Sequence, residues 1–274
     1  MELISSHSNP KIKQARALRQ RKARQESGLF IIEGIRHVGE AVEAQAHIAY
    51  LLYAPGRLHS AYAQDLIQQL SAREVPCYPV SDEVFATVAD KENPPGLLAV
   101  AHLPNFELAD FNPTNFPWGV AIVDPQDPGN LGSILRTIDA VGASGLLLLC
   151  GETGEGLVDP FHPSALRASM GAHFWRPLAA ASFAEFATWA KAHAYHIYGT
   201  SAHGAVDYRE IQSFHRPAIL LLGSERAGLT PLQSEICEQL IRLPMHGRAT
   251  SLNLAVAAGV FLYEMLANNQ SLSA

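Results

Sequence analysis

The sequence predicts an α/β protein of two units, a mostly parallel sheet covered on both faces preceded by a smaller α/β unit. Three observations carry this. Apolar runs recur near 118–123, 145–150, 195–200, 218–222 and 239–243, and they are continuous rather than alternating, as strands buried on both faces require. Helical patterns separate these runs. Ahead of them, residues 104–117 are rich in proline and asparagine and carry no regular period, which suits an interdomain linker. The expected division is 1–103, a linker over 104–117, and 118–274. At 274 residues both units have room for a core.

The elements follow in order. Asn9-Pro10 opens a helix over 11–25, with Ile12, Ala15 and Leu18 at helical spacing and basic residues on its other faces. Gly28 ends it, and 29–32 reads as a short buried strand. Gly34 leads into a helix through Val38 and Val42, followed by a strand at 48–53, a helix at 61–72, a strand at 75–80 and a turn and strand over 93–103. In the second unit the strand at 118–123 runs into DPQDPGN, and a helix opens at Leu131. The strongly apolar stretch 252–266 is the last helix.

Composition narrows the class. Apolar residues make up 48% and charged residues 17%, ordinary for a globular chain. No apolar run approaches the roughly 18–20 residues of a membrane span, and the first residues lack the apolar core of a signal peptide, so a cytoplasmic protein is expected. Cys77, Cys150 and Cys237 lie far apart without a C-x-x-C pair, which predicts buried free thiols rather than a disulfide or zinc site. His193 and His196 lack a third ligand, and no metal is expected. The net charge of −6 is uneven. Residues 1–36 hold Lys11, Lys13, Arg16, Arg19, Arg21, Lys22, Arg24 and Arg36 against three acids, a local +5 on a chain whose remainder is −11. Such an arm fits contact with a polyanion, or a solvated helix face.

Three loops beyond the carboxyl ends of strands have unusual content, and in open α/β sheets ligands collect at such loops. The first holds Asn130 and, one and a half turns into its helix, Arg136. The second is GSERAGL (223–229), with Glu225. The third runs from Pro244 through Ser251 to Asn253. Each has a structural alternative: glycines for turns, Asn130 as a helix N-cap, Ser251 as a cap of the last helix. If the strands are neighbours, Asn130, Glu225, Ser251 and Asn253 converge, and that many polar groups need mutual pairing or a ligand. The loop 151–156 has glycines in the order G-x-x-G-x-G, with prolines soon after, and does not fit a dinucleotide fingerprint. No G-x-S-x-G elbow is present.

These loops resemble the three signature motifs of the SpoU (TrmH-type) branch of the SPOUT RNA methyltransferases: NLGSILR (130–136), LGSERAG (222–228), and LPM (243–245) through SLN (251–253). The resemblance covers about 118–267 and includes RASMGAHFWRPL (167–178). NPKIKQARALRQRKAR, GLFIIEGIR and PPGLLAV are similar to the L30e-like substrate-binding domain found ahead of it. The resemblance implies a deep trefoil knot, S-adenosylmethionine held in it, a homodimer formed through the C-terminal domain, and methyl transfer to a ribose 2′-hydroxyl, in ribosomal RNA by analogy. It places cofactor contacts on Thr200, Gly223, Leu243, Met245 and Leu252. The polar active-site set is Arg136, Asn130, Glu225, Ser251 and Asn253, and RNA contacts fall on Lys11, Lys13, Arg19, Arg21, Lys22, Arg24 and Arg36. Arg248 and Ala249 stand where members often have a hydrophobic residue and an acid or small polar one, which bears on substrate detail. A guanidinium stays protonated, so Arg136 is expected to clamp a phosphate rather than act as a simple base. A non-catalytic RNA-binding or ribosome-assembly protein, and a transfer-RNA methyltransferase, are the alternatives.

Overall fold

Asn9 starts the first helix as its capping residue, its side chain accepting from the Lys11 N–H, with Pro10 preset in the first turn. The computed structural model describes residues 2–90, 94–150 and 157–270, excepting the side chains of 269 and 270. The helix expected over 11–25 is two helices, α1 (Pro10–Ala17) and α2 (Arg21–Ser27). Gln20 is extended between them, and the guanidinium of Arg24 donates to the Leu18 carbonyl at 2.6 Å, occupying the end of α1. A cation on a helix C-terminus is a favourable, charge-assisted arrangement. Gly28 ends α2 in the left-handed region, φ +65°, where a side chain would be strained.

Next come β1 (Leu29–Glu33), α3 (Ile35–Glu43), β2 (Ile48–Tyr53), α4 (Ala61–Ala72), β3 (Cys77–Pro79), α5 (Asp82–Ala86) and β4 (Leu97–His102). The sheet order is β1-β4-β2-β3, with β4 antiparallel to both neighbours and β2 parallel to β3. Ile12, Leu18, Tyr50, Phe85, Leu98 and Val100 share its core. The short α5 carried no signal longer than its Ser81 cap, whose hydroxyl accepts from the Val84 N–H.

The second unit, which shares α7 (Pro163–Ser169) with the first, contains β5 (Trp118–Val123), α6 (Pro128–Ala140), β6 (Leu146–Cys150), α8 (Ala172–Trp175), β7 (Leu178–Ser182), α9 (Phe183–Ala192), β8 (His196–Thr200), β9 (Val206–Asp207), β10 (Ala218–Leu222), α10 (Pro231–Glu235), β11 (Gln239–Arg242) and α11 (Leu254–Gln270). Its seven strands, in the order β7-β6-β5-β10-β8-β11-β9, are parallel in every pairing. Every residue of β5 and β10 is buried, which explains their unbroken apolar runs. Two strands gave no apolar run. β7 is LAAAS, and β9 is two residues long.

By contacts the chain divides into Met1–Pro104 with Phe161–Arg167, and Asn105–Pro160 with Ala168–Ala274. The stretch 104–117 is therefore not a free linker. From Asn105 it belongs to the second unit, where Phe111 and Phe116 are buried. The Phe111 carbonyl accepts from the Trp189 indole at 3.0 Å, and the Phe116 carbonyl accepts from the Tyr195 hydroxyl at 2.7 Å. Its aromatic residues outweigh its prolines once a core is there to receive them. Phe161–Arg167 joins the first unit, with Phe161 against Phe30 at 4.8 Å between rings and Arg167 paired to Asp90 at 2.9 Å.

Candidate active site

β5, β10, β8 and β11 are consecutive neighbours, so their parallel carboxyl ends lie side by side and deliver the three loops to one edge. At the end of β5, Asp124 takes φ 43°, a backbone conformation that aspartate tolerates better than most residues. Asp127 caps α6, its Oδ1 accepting from the Asn130 N–H at 2.6 Å, and Pro128 occupies the first turn. The helix thus opens three residues ahead of Leu131, and Asn130 is not its N-cap. The Asp-Pro pair just ahead of the helix was the signal for Asp127.

Released from capping, the Asn130 side chain joins the loops. Its Nδ2 donates to Glu225 Oε1 at 2.9 Å, and its Oδ1 accepts from Asn253 Nδ2 at 2.9 Å. Asn253 Oδ1 in turn accepts from the N–H groups of Ala255 and Val256, at 2.9 and 3.3 Å. Asn253, not Ser251, caps the last helix, which begins at Leu254 rather than 252. The chain Asn253–Asn130–Glu225 therefore ties together residues up to 123 positions apart. An amide is suited to the middle place, because it offers a donor to the carboxylate and an acceptor to the second amide. Ser251 and Arg136 are exposed and stand outside this chain, with Arg136 six residues along α6, about 9 Å from Asn130.

The second loop closes on itself. The Ser224 N–H donates to the Gly228 carbonyl at 3.1 Å and the Gly228 N–H donates back at 2.9 Å, with Gly228 at φ +68°. A Cβ at Gly223 would lie 2.2 Å from the Gly228 carbonyl carbon and 2.4 Å from the Leu229 nitrogen. Only glycine lets backbone approach backbone this closely. Thr200, at the end of β8, donates its hydroxyl to the Leu221 carbonyl at 3.4 Å. Leu243 and Met245 are half-buried and Leu252 is exposed, in a stretch, 243–253, without helix or strand. A stretch with half-buried apolar side chains and no regular backbone pairing leaves backbone groups that can meet the edge of a flat heterocycle.

The cations of the basic arm differ in exposure and pairing. Arg24 is 2% exposed and does not present its charge to a phosphate; its place is the end of α1. Arg19 pairs with Asp90 at 3.2 Å and donates to the Ala89 carbonyl, Arg36 pairs with Glu40 at 2.9 Å, and Lys11 lies over the Tyr50 ring at 4.5 Å. Lys13, Arg21 and Lys22 are exposed, Lys22 with Glu26 at 3.8 Å. Changing Lys13, Arg21 and Lys22 to Glu should weaken RNA binding and lower its log–log salt slope by about 2. A filter-binding series in KCl measures this, and an unaltered slope would remove the arm from RNA contact.

Comparison with known proteins finds relatives for both units. Residues 117–263 match the SpoU rRNA methylase family, and residues 9–99 match the MRM3-like substrate binding domain. The chain is 32% identical to the 23S rRNA (guanosine(2553)-2′-O)-methyltransferase RlmP of Bacillus subtilis, over 97% of this chain and 99% of that protein. Among solved structures, the AdoMet-bound rRNA methyltransferase from Sinorhizobium meliloti superposes with a TM-score of 0.86 at 34% identity, covering 96% and 97% of the two chains. The SpoU methyltransferase AviRb from Streptomyces viridochromogenes, in complex with AdoMet, gives 0.85 at 31%, covering 96% and 99%. The chain belongs to the SpoU rRNA methylase family.

For a SpoU methylase the remaining signals of the sequence are accounted for otherwise. His196 pairs with Glu238, and His193 ends α9 with its ring 5.6 Å from Trp189. Among the described residues no group of three or more His, Cys, Asp or Glu is arranged to hold a metal, and no helix is long and apolar enough to cross a membrane. The three cysteines are free; Cys77 is buried and the other two half-buried, with burial pushing the Cys237 thiol up to about 11. The loop 151–156 lies outside the described residues.

Proposed function

We propose that this SpoU methylase acts on ribosomal RNA of the large subunit, through a first unit that holds the RNA and a second that carries out the transfer. It is an S-adenosylmethionine-dependent methyltransferase of RNA ribose 2′-hydroxyls. The observation that carries the reading is the hydrogen-bonded chain Asn253–Asn130–Glu225, which joins the three loops at one edge of the sheet. The substrate follows from the relatives, two of which are named as 23S rRNA 2′-O-methyltransferases.

When bound, S-adenosylmethionine supplies an electrophilic methyl group on a sulfonium. Gly223 opens the backbone cradle for it, Leu243, Met245 and Leu252 form apolar walls, and Thr200 braces β8 against β10. Asn130, Glu225 and Asn253 hold the loops in register, and Ser251 faces the substrate. Arg136 binds the RNA phosphate next to the reacting ribose through both arms of its fork and fixes the 2′-hydroxyl on the methyl axis. S-adenosylmethionine, when bound, would give its methyl group to that hydroxyl oxygen and leave as a neutral thioether that keeps the bonding pair. The hydroxyl proton passes to an oxygen of the phosphate that Arg136 holds, and from there to solvent. Alignment of this kind lowers a barrier by several kcal/mol.

The same reading has the C-terminal strands threaded into a trefoil knot. Its support is that the stretch after β11 returns across β8 and β10 to place Asn253 beside Asn130. It also makes the enzyme a homodimer. Val256, Val260 and Tyr263 form an exposed apolar stripe along α11, at helical spacing, that a second copy would cover. A ribosomal substrate would support a cytoplasmic location for the protein.

The test uses labelled S-adenosylmethionine with ribosomal and transfer RNA from a strain deleted for the chain, with the methylated nucleotide mapped by primer extension. Label is expected in large-subunit ribosomal RNA; label in transfer RNA alone would reassign the substrate. Arg136→Lys keeps the charge and loses the fork, so methylation should fall at least 10-fold with cofactor binding unchanged. Full activity in that variant would eliminate the clamp.

A further inference from the structure

We propose that Trp175 is a stacking platform for an RNA base next to the methylated nucleotide, an inference that rests on the Arg136 side of the site facing RNA. The three tryptophans divide sharply. Trp118 and Trp189 are 3% and 8% exposed, whereas Trp175 is 44% exposed. It ends α8, a helix of four residues that packs on α6. The next residue is fixed twice: the Arg176 N–H donates to the Ala172 carbonyl at 2.9 Å, and its Nε donates to Asp139 Oδ1 at 2.8 Å. Asp139 lies on α6 one turn, about 5 Å, beyond Arg136. The end of α8 that carries Trp175 is therefore pinned to α6 one turn from the exposed cation proposed to hold a phosphate.

The surroundings favour RNA over a second copy of the chain. The apolar stripe assigned to the dimer lies on α11. Both α11 and α8 pack on α6, and they make little contact with each other. The residue next to Trp175 is charged, Arg176, and it is held on α6 by Asp139 rather than continuing that stripe. An indole face with guanidinium groups nearby suits a nucleobase and its phosphates, since every base offers a π-face and stacking needs no particular sequence.

The experiment compares Trp175→Ala and Trp175→Phe, using protein-free ribosomal RNA from the deletion strain. The alanine variant should raise the KM for RNA about 10-fold, with kcat and the Kd for S-adenosylmethionine unchanged, and the phenylalanine variant should recover most of that loss. RNA should also quench the intrinsic fluorescence of the wild-type enzyme and leave that of Trp175→Phe unaltered, because the other two indoles are buried. An unchanged KM in the alanine variant overturns the proposal. So does a fluorescence change that follows protein dilution and ignores RNA, which would put a second copy over Trp175. If Arg136→Lys stays fully active while Trp175→Ala raises the KM, the clamp fails and the platform stands. The reverse pattern removes the platform alone.

Discussion

Replacing Asn130 by Asp should reduce kcat/KM for methyl transfer about 100-fold, the scale set by an ångström of misplacement at a reacting centre. Asn130 is the middle of the chain that joins three loops, and it serves by being a donor on one side and an acceptor on the other. An aspartate keeps the acceptor for Asn253 and puts a second carboxylate 2.9 Å from that of Glu225, with no proton between them. The loops separate, and the hydroxyl and methyl lose their alignment. Asn130→Ala is milder, because water can serve Glu225 and Asn253 at this open edge, and a loss of about 10-fold is expected. The two variants should also differ with pH. Like charges held close raise one carboxyl above its usual range, so acidification returns a proton, and with it a donor, between the introduced carboxylate and Glu225. The activity of Asn130→Asp relative to wild type should therefore rise as pH falls, whereas that of Asn130→Ala should not. Methyl incorporation under saturating cofactor measures both. A wild-type rate in Asn130→Asp would sink the alignment role.

Gly223→Ala should be the second large effect, acting on the cofactor rather than the RNA. The added methyl would meet the carbonyl carbon of Gly228 at 2.2 Å and the nitrogen of Leu229 at 2.4 Å, backbone atoms that no rotamer change can move aside. Overpacking of this kind costs about 1–3 kcal/mol, and relief requires the 224–228 turn to shift away from β10. S-adenosylmethionine affinity should fall more than 10-fold by calorimetry, with a lower Tm. Gly228→Ala is the informative control. Nothing lies within 4 Å of its Cβ, and the whole penalty there comes from φ +68°, roughly 1 kcal/mol. If the two variants lose cofactor affinity equally, close approach at Gly223 is not what shapes the cradle.

The strands of the second unit were legible because burial on both faces leaves a continuous apolar run, and 118–123 and 218–222 coincide with β5 and β10. Their parallel pairing followed from the helices between them. β7 and β9 were not legible, since LAAAS and a two-residue strand carry no local signal and exist only because a neighbouring edge offers hydrogen bonds. The basic arm was legible as a charge block. The burial of Arg24 was not, because nothing in an alternation of Lys and Arg says which cation will close a helix end.

At the site, an amide, a carboxylate, glycines and a cation were legible after the apolar strands, in an order that matches a family. Their hydrogen-bond partners were not legible and come from the packed chain. Asn130 is a bridge and not a cap, Asn253 and not Ser251 caps α11, and the proline-rich 104–117 is packed by its phenylalanines from Asn105 onward. The physical reason is the same in each case. Capping and turn propensities are local and differ among Asp, Asn and Ser by fractions of a kcal/mol, so the choice among them falls to partners that sequence places about a hundred residues away and the sheet brings to hydrogen-bond distance.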